Sequence, residues 1–205
     1  MNITLIIVIV TVAVSYLGFT RTDLKYKYTL IPYQVIHYKQ YYRMISSGFL
    51  HSNWWHLGFN MLAFYSFGMQ IEYDFIALFG ETKGLVNFLL LYFLGLIFSD
   101  IYSVARHKDN HGYSSLGASG AVSAIVFTSI LLHPEGKIGF FFIPMPSVVF
   151  GVIYLALSAY MSNKNYDNVS HDSHFWGSLF GFVFPIVLKP ELFPRFINIV
   201  QELMR

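Results

Sequence analysis

Ser115-Leu116-Gly117-Ala118-Ser119-Gly120-Ala121-Val122-Ser123-Ala124-Ile125-Val126-Phe127-Thr128-Ser129-Ile130-Leu131-Leu132 lies within residues 110–134, a stretch without a single Asp, Glu, Lys or Arg. A helix needs about 20 largely apolar residues to cross the hydrocarbon core of a bilayer, and this stretch provides them. Working outward, five more charge-free windows occur: 1–20, 44–71, 84–99, 138–163 and 173–188. The two shortest lengthen once apolar residues beyond a single flanking charge are counted. The expectation is an all-α membrane protein with six transmembrane helices. They fall near 2–19, 54–71, 84–104, 115–132, 146–161 and 173–188, in a single domain covering 1–205.

Composition agrees with that expectation. The chain of 205 residues is 55% hydrophobic, 19% aromatic and 12% charged, whereas a soluble domain carries about 25% charged residues. Six spans leave no room for a separate soluble domain, and the apolar content excludes disorder. With no cysteine there is no disulfide framework, thiolate nucleophile or Cys-based zinc site. A net charge of +2 without a dense Lys/Arg cluster argues against a nucleic-acid partner.

The connections also carry information. No Lys or Arg precedes the first apolar run and Ser15-Tyr16-Leu17-Gly18-Phe19 makes a poor cleavage site, so a retained helix is expected rather than a signal peptide. Residues 21–50 read as an interfacial element, because its cations alternate with Tyr26, Tyr28, Tyr33, Tyr38, Tyr41 and Tyr42. Both residue types settle at headgroup level. Charge bias leaves orientation open: with a cytoplasmic N-terminus, more Lys and Arg fall outside than inside, against the usual rule. Glu72 to Lys83 reads as a charged connection. Pro144 and Pro146 suit the entry of the fifth helix. No repeat or low-complexity tract is present.

Polar groups at bilayer depth are costly and mark candidate sites. Three sets qualify. His56 and Asn60, spaced i, i+4, share a face of the second helix. Ser119, flanked by Gly117 and Gly120, opens the fourth. His174 opens the sixth, with Gly177 and Gly181 on the same face. Small residues allow close helix approach, so the Gly120/Ala124 face of the fourth helix and the glycine stripe of the sixth can bring Ser119 and His174 together. A serine beside a histidine is the minimum for nucleophilic catalysis. His56, Asn60 and the Ser119 N–H are candidate donors to an oxyanion. Asp172 is at i−2 from His174 and faces away, so a dyad fits better than a triad. From the residues alone, packing hydroxyls and imidazoles remain the competing explanation.

Gly117-Ala118-Ser119-Gly120 resembles the GxSG signature of the rhomboid intramembrane serine proteases. His51-Ser52-Asn53-Trp54-Trp55-His56-Leu57-Gly58-Phe59-Asn60 is similar to their second-helix motif, and His174-Phe175-Trp176-Gly177-Ser178-Leu179-Phe180-Gly181 to HxxGxxxG of their sixth. Tyr42-Arg43 and Glu72 stand where the family has an aromatic-Arg pair and a Glu. The resemblance implies a six-helix rhomboid-like bundle that cleaves transmembrane segments of other proteins. Ser119 would be nucleophile and His174 general base. His56 and Asn60 would line the oxyanion hole, with His51, Gly117, Gly120, Gly177 and Gly181 in support and Arg43 and Glu72 structural. One departure is visible: the aromatic that many bacterial members carry four residues after the serine is Ser123 here.

A transmembrane substrate keeps its peptide bonds hydrogen-bonded, so cleavage needs water, local unwinding and lateral entry. The fifth helix, with Phe150, Tyr154 and Leu157 on its surface, is the candidate gate. The expected partners are transmembrane protein substrates and the lipid bilayer, with no cofactor, metal or nucleic acid. The compact core suits a bacterial plasma membrane. Two other functions compete with this one. A metal-handling transporter would use His51, His56, His171 and His174, but lacks a pattern such as HExxH. A proteolytically dead relative would have lost the serine or the histidine, and this chain keeps both.

Overall fold

The computed structural model describes residues 2–140, 143–162 and 170–205. Ten α-helices, one 3-10 turn and a two-stranded ribbon are present among the described residues. The long elements are α1 (Ile3–Thr20), α5 (Trp54–Phe79), α6 (Glu81–Arg106), α7 (Ser119–Leu132), α8 (Ser147–Ser162) and α9 (His171–Leu188). α1 and α6 are long and apolar enough to cross a membrane by themselves. α9 passes together with α10 (Leu192–Leu203), which turns away from it by 117°. α7 and α8 are apolar but shorter.

α7 is the centre of the bundle. Every residue from Gly120 to Leu132 is buried, as expected of a helix that is apolar on all sides. α6 and α9 flank it. On one side a methyl added to Gly95 of α6 would meet Ala121 and Ala124 at 3.3 Å. On the other, a methyl on Gly177 would fall on the Gly120 carbonyl, and one on Gly181 on the Ala124 backbone. The Thr128 hydroxyl crosses the same seam and donates to the Gly181 carbonyl at 2.7 Å. Between α5 and α6, Phe64, Ile71, Phe75, Phe88 and Tyr92 are completely buried.

Several boundaries differ from the sequence reading, for a common reason. Charges mark where a chain leaves the hydrocarbon, not where its helix stops. α5 therefore runs past Ile71 to Phe79, and α6 begins at Glu81. The expected connection is reduced to Gly80, whose φ of +83° suits glycine. Glu72 lies inside α5, buried, and closes the N-terminus of α1. Its carboxylate accepts the Ile3 N–H (2.9 Å), the Thr4 N–H (2.8 Å) and the Thr4 hydroxyl (2.7 Å). These are orphan donors at the positive end of a helix dipole.

The tyrosine-rich element folds into α2 (Thr22–Tyr28), α3 (Pro32–His37), α4 (Arg43–Ser46) and the 3-10 turn Ser47–Phe49. Arg43 is buried and ties them together, donating to the Tyr26 and Thr29 carbonyls and to the Gln40 amide oxygen. An all-α chain was expected, yet Lys137–Phe140 (β1) and Ile143–Pro146 (β2) pair as a short antiparallel ribbon. Pro144 and Pro146 belong to that ribbon, immediately before α8.

Candidate active site

The local chain path explains why Ser119 sits where it does. Gly117 has a φ of +128°, a conformation that favours glycine. A methyl there would also meet the His56 ring, with Cε1 at 2.7 Å and Nε2 at 3.0 Å. Helical geometry starts only after this kink, so α7 opens at Ser119 rather than at the expected Ser115. Its first internal hydrogen bond is Val122 N–H to the Ala118 carbonyl, 2.9 Å. The Ser119, Gly120 and Ala121 N–H groups precede the ladder at the positive end of the helix.

Three contacts hold the segment entering α7. Ser115 pairs with Leu30 in both directions at 3.0 Å, and the Gly117 N–H donates to the Ser47 carbonyl at 3.0 Å. The third involves His51. The Ser15 hydroxyl lies 2.9 Å from both the Phe49 carbonyl and His51 Nδ1. Ser15 has one proton and a carbonyl only accepts, so Nδ1 carries the hydrogen and donates to Ser15. Nε2 is then bare and receives the Ala118 N–H at 3.5 Å. This arrangement needs a neutral imidazole. Burial, with a smaller contribution from the neighbouring His56, pushes His51 down from 6.5 to about 3.

Ser119, Asn60 and His174 line one cleft of about 300 Å³, bounded by α5, α7, α8, α9 and the ribbon. Ser119 and His174 are half-buried, Asn60 buried. The Asn60 amide donates to the His56 carbonyl at 2.9 Å and has a second N–H. His56 does not line the cleft; it lies beside it, over Gly117, with Nδ1 at 3.1 Å from the Ser52 hydroxyl. Gly120, Gly177 and Gly181 form the α7–α9 seam behind the two side chains. Gly117 makes the kink, and His51 braces it from outside the cleft.

Two residues complete the surroundings: Tyr154, which the sequence reading placed only on the surface of the fifth helix, and Asp100, which it missed. The Tyr154 ring of α8 stacks on His174, centroids 6.1 Å apart at 25°. Its hydroxyl pairs with Ser123 at 2.7 Å. Asp100 of α6 is buried and accepts the Ser173 hydroxyl at 3.0 Å. Ser173 also pairs with Ser170 (2.8 Å), and Ser170 with Tyr113 (3.3 Å). Since Ser173 donates to Asp100, the hydroxyls order as Tyr113 to Ser170 to Ser173 to Asp100, fixing the first turn of α9 beside His174. A signal for Asp100 existed: it is an acid within an expected span, the placement that marks a functional residue. Asp172 faces away from the site as expected, bonding Ser162 and Arg106, the latter at 3.4 Å. Among the described residues no three His, Asp or Glu side chains converge as metal ligands.

The fold and this cleft define a helical membrane protein with a serine and a histidine on adjoining helices. The sequence pattern of the Rhomboid domain matches residues 38–191, and the chain belongs to the Rhomboid family. It is 31% identical to Rhomboid protein 1, mitochondrial, of Saccharomyces cerevisiae over 147 residues, 69% of this chain and 40% of the relative. It is 28% identical to RHOMBOID-like protein 12, mitochondrial, of Arabidopsis thaliana over 151 residues, covering 66% and 43%. The human Presenilin-associated rhomboid-like protein, mitochondrial, is 28% identical over 145 residues, covering 67% and 35%. The chain thus spans less than half the length of the curated relatives it matches. All three carry a mitochondrial name, which overturns the expectation of a bacterial plasma membrane. A compact core is common to both settings and does not distinguish them.

Proposed function

We propose that this chain is a serine endopeptidase that hydrolyses peptide bonds in or near the transmembrane segments of other membrane proteins. In this reading Ser119 attacks the scissile carbonyl while His174 takes its proton and returns it to the leaving amine. Asn60 and the N–H groups that open α7 stabilise the developing oxyanion, with the helix dipole pointing at the charge, and His56 supports them from beside the cleft. Asp100 has no contact with the reacting groups in this scheme; it steadies α9 through Ser173.

The observation carrying this reading is that Ser119, Asn60 and His174 line one cleft at the N-terminus of α7. Depth supports it as well. α7 has 14 residues, and at 1.5 Å per residue reaches about 21 Å, less than the roughly 30 Å hydrocarbon core. Its other end meets polar groups: His133 pairs with Asp74 at 2.7 Å, and Arg195 donates to the Leu132 carbonyl at 3.0 Å. With that end at one membrane surface, Ser119 lies below the opposite one, where an enclosed cleft must supply the water.

We further read the chain as one transmembrane domain with six spans, α7 and α8 being short ones. The names of its relatives favour a mitochondrial membrane. Labelling by a serine-directed fluorophosphonate tests the proposal. Wild type is expected to be labelled at Ser119 and Ser119→Ala to be unlabelled. Equal labelling of both, or activity on a transmembrane substrate that survives Ser119→Ala and is lost with a chelator, overturns it.

A further inference from the structure

α2 and the segment leading into α7 enclose a cavity of about 400 Å³ that shares no lining residue with the Ser119 cleft. Thr22, Lys25 and Tyr26 line it from α2, His111 and Ser114 from the opposite wall, and no carboxylate among the described residues lines it. The charge around it is one-sided. Arg21 is neutralised by Asp23 at 2.9 Å, but Lys25 and Lys27 form no ion pair among the described residues. Lys25 is half-buried, and its one hydrogen bond among those residues is a long one, 3.5 Å to the Ser52 carbonyl. An ammonium has three donors, so two are left for a ligand. Arg43 is buried beside the cavity and donates to the Tyr26 and Thr29 carbonyls and the Gln40 amide oxygen. Those acceptors are all neutral. A buried cation without a counter-ion is costly, and an anion in the adjoining cavity offsets that cost.

The position of the cavity selects the anion. It lies in the tyrosine-rich element, whose Tyr and Lys side chains settle at headgroup level. Ile31 and Leu116 give it an apolar margin, suited to the glycerol stem of a lipid. We propose that this cavity binds the phosphate of a phospholipid headgroup carrying net negative charge, with the Lys25 ammonium as its charge partner and the Thr22 and Ser114 hydroxyls as donors. The wall at 111–116 also holds Ser115, paired with Leu30, and Tyr113, whose hydroxyl pairs with Ser170 immediately before α9. A headgroup joining α2 to this wall therefore braces the chain where it enters α7 and α9. The assignment does not depend on the protease reading.

Binding of a short-chain lipid, dihexanoyl phosphatidylglycerol, to the full chain in detergent tests this, with affinity read by native mass spectrometry and bracing by thermal unfolding. Lys25→Gln is expected to weaken binding by roughly 5- to 20-fold, and Lys27→Gln to change it by less than about 2-fold. Saturating lipid should raise the unfolding temperature of wild type and not that of Lys25→Gln. Dihexanoyl phosphatidylcholine, whose choline returns a positive charge, should bind at least about 5-fold more weakly. Wild-type affinity in Lys25→Gln refutes the site, and equal affinity for the two lipids refutes its preference for net negative charge. Inorganic phosphate that binds as tightly as phosphatidylglycerol overturns the headgroup assignment in favour of a soluble phosphate. If Lys25→Gln does not fold, the double variant Thr22→Val, Ser114→Ala decides: a loss of about 3- to 10-fold is expected, and unchanged affinity refutes the site.

Discussion

α7 meets its two neighbours by opposite means. Against α9 the contact is backbone on backbone, with Gly177 over the Gly120 carbonyl, Gly181 over Ala124 and a hydroxyl bond from Thr128. Against α8 it is a short apolar patch and one hydroxyl pair, with Ser147 bonded to the turn that follows α7. Interiors packed at close density do not deform continuously, so the first contact is the stiffer of the two. The helices bearing Ser119 and His174 are therefore held in fixed register, while α8 touches α7 more lightly and is tied at its far end to Asp172 and Arg106 through Ser162.

The sharpest way to break the comparison is to crowd the stiff side. Gly181→Val places side-chain atoms on the Ala124 backbone and is expected to cost about 3 kcal/mol or more, measured as loss of folded protein in detergent. An equally bulky change at the exposed Val152 of α8 should leave stability within about 0.5 kcal/mol. Next in size is Glu72→Ala, which strands the buried N–H groups of Ile3 and Thr4. About 2 kcal/mol is expected from their lost partner, read by thermal unfolding, and it should affect α1 docking rather than the α7–α9 seam.

An effect that vanishes at neutral pH sharpens the role of His51. Its folded value is near 3 against 6.5 when unfolded, so above pH 6.5 it is neutral in both states and contributes no pH dependence. As pH falls below 6.5 the unfolded chain takes up a proton that the folded chain refuses, and stability declines. By pH 5 this amounts to about 2 kcal/mol. Unfolding followed from pH 7 to pH 5 should show this decline in wild type and a shallower one in His51→Asn. A slope unchanged by the substitution would contradict the neutral, Ser15-bonded imidazole.

Much of this molecule was legible in its sequence, unevenly. Ser119, Asn60 and His174 stood out because polar side chains within charge-free runs are conspicuous, and glycines at i+3 and i+7 from His174 announced a helix seam. The kink at Gly117 was not legible, because glycine at a helix start fits several paths; only the His56 ring above it settles which. Tyr154 and Asp100 approach from other helices, and no spacing along the chain encodes that approach. The short helices of 21–50 have too few turns to show periodicity. The ribbon of Lys137–Phe140 and Ile143–Pro146 was hidden by prolines that equally suit a helix entry.

The most direct test of the central claim is turnover of a reconstituted transmembrane substrate by wild type, Ser119→Ala, His174→Ala and the double variant. A serine and histidine acting as one unit predict a loss on the order of 10⁴–10⁶ in kcat for each single variant, with the double variant no slower. Substantial turnover in either single variant, or losses that multiply in the double, would contradict it.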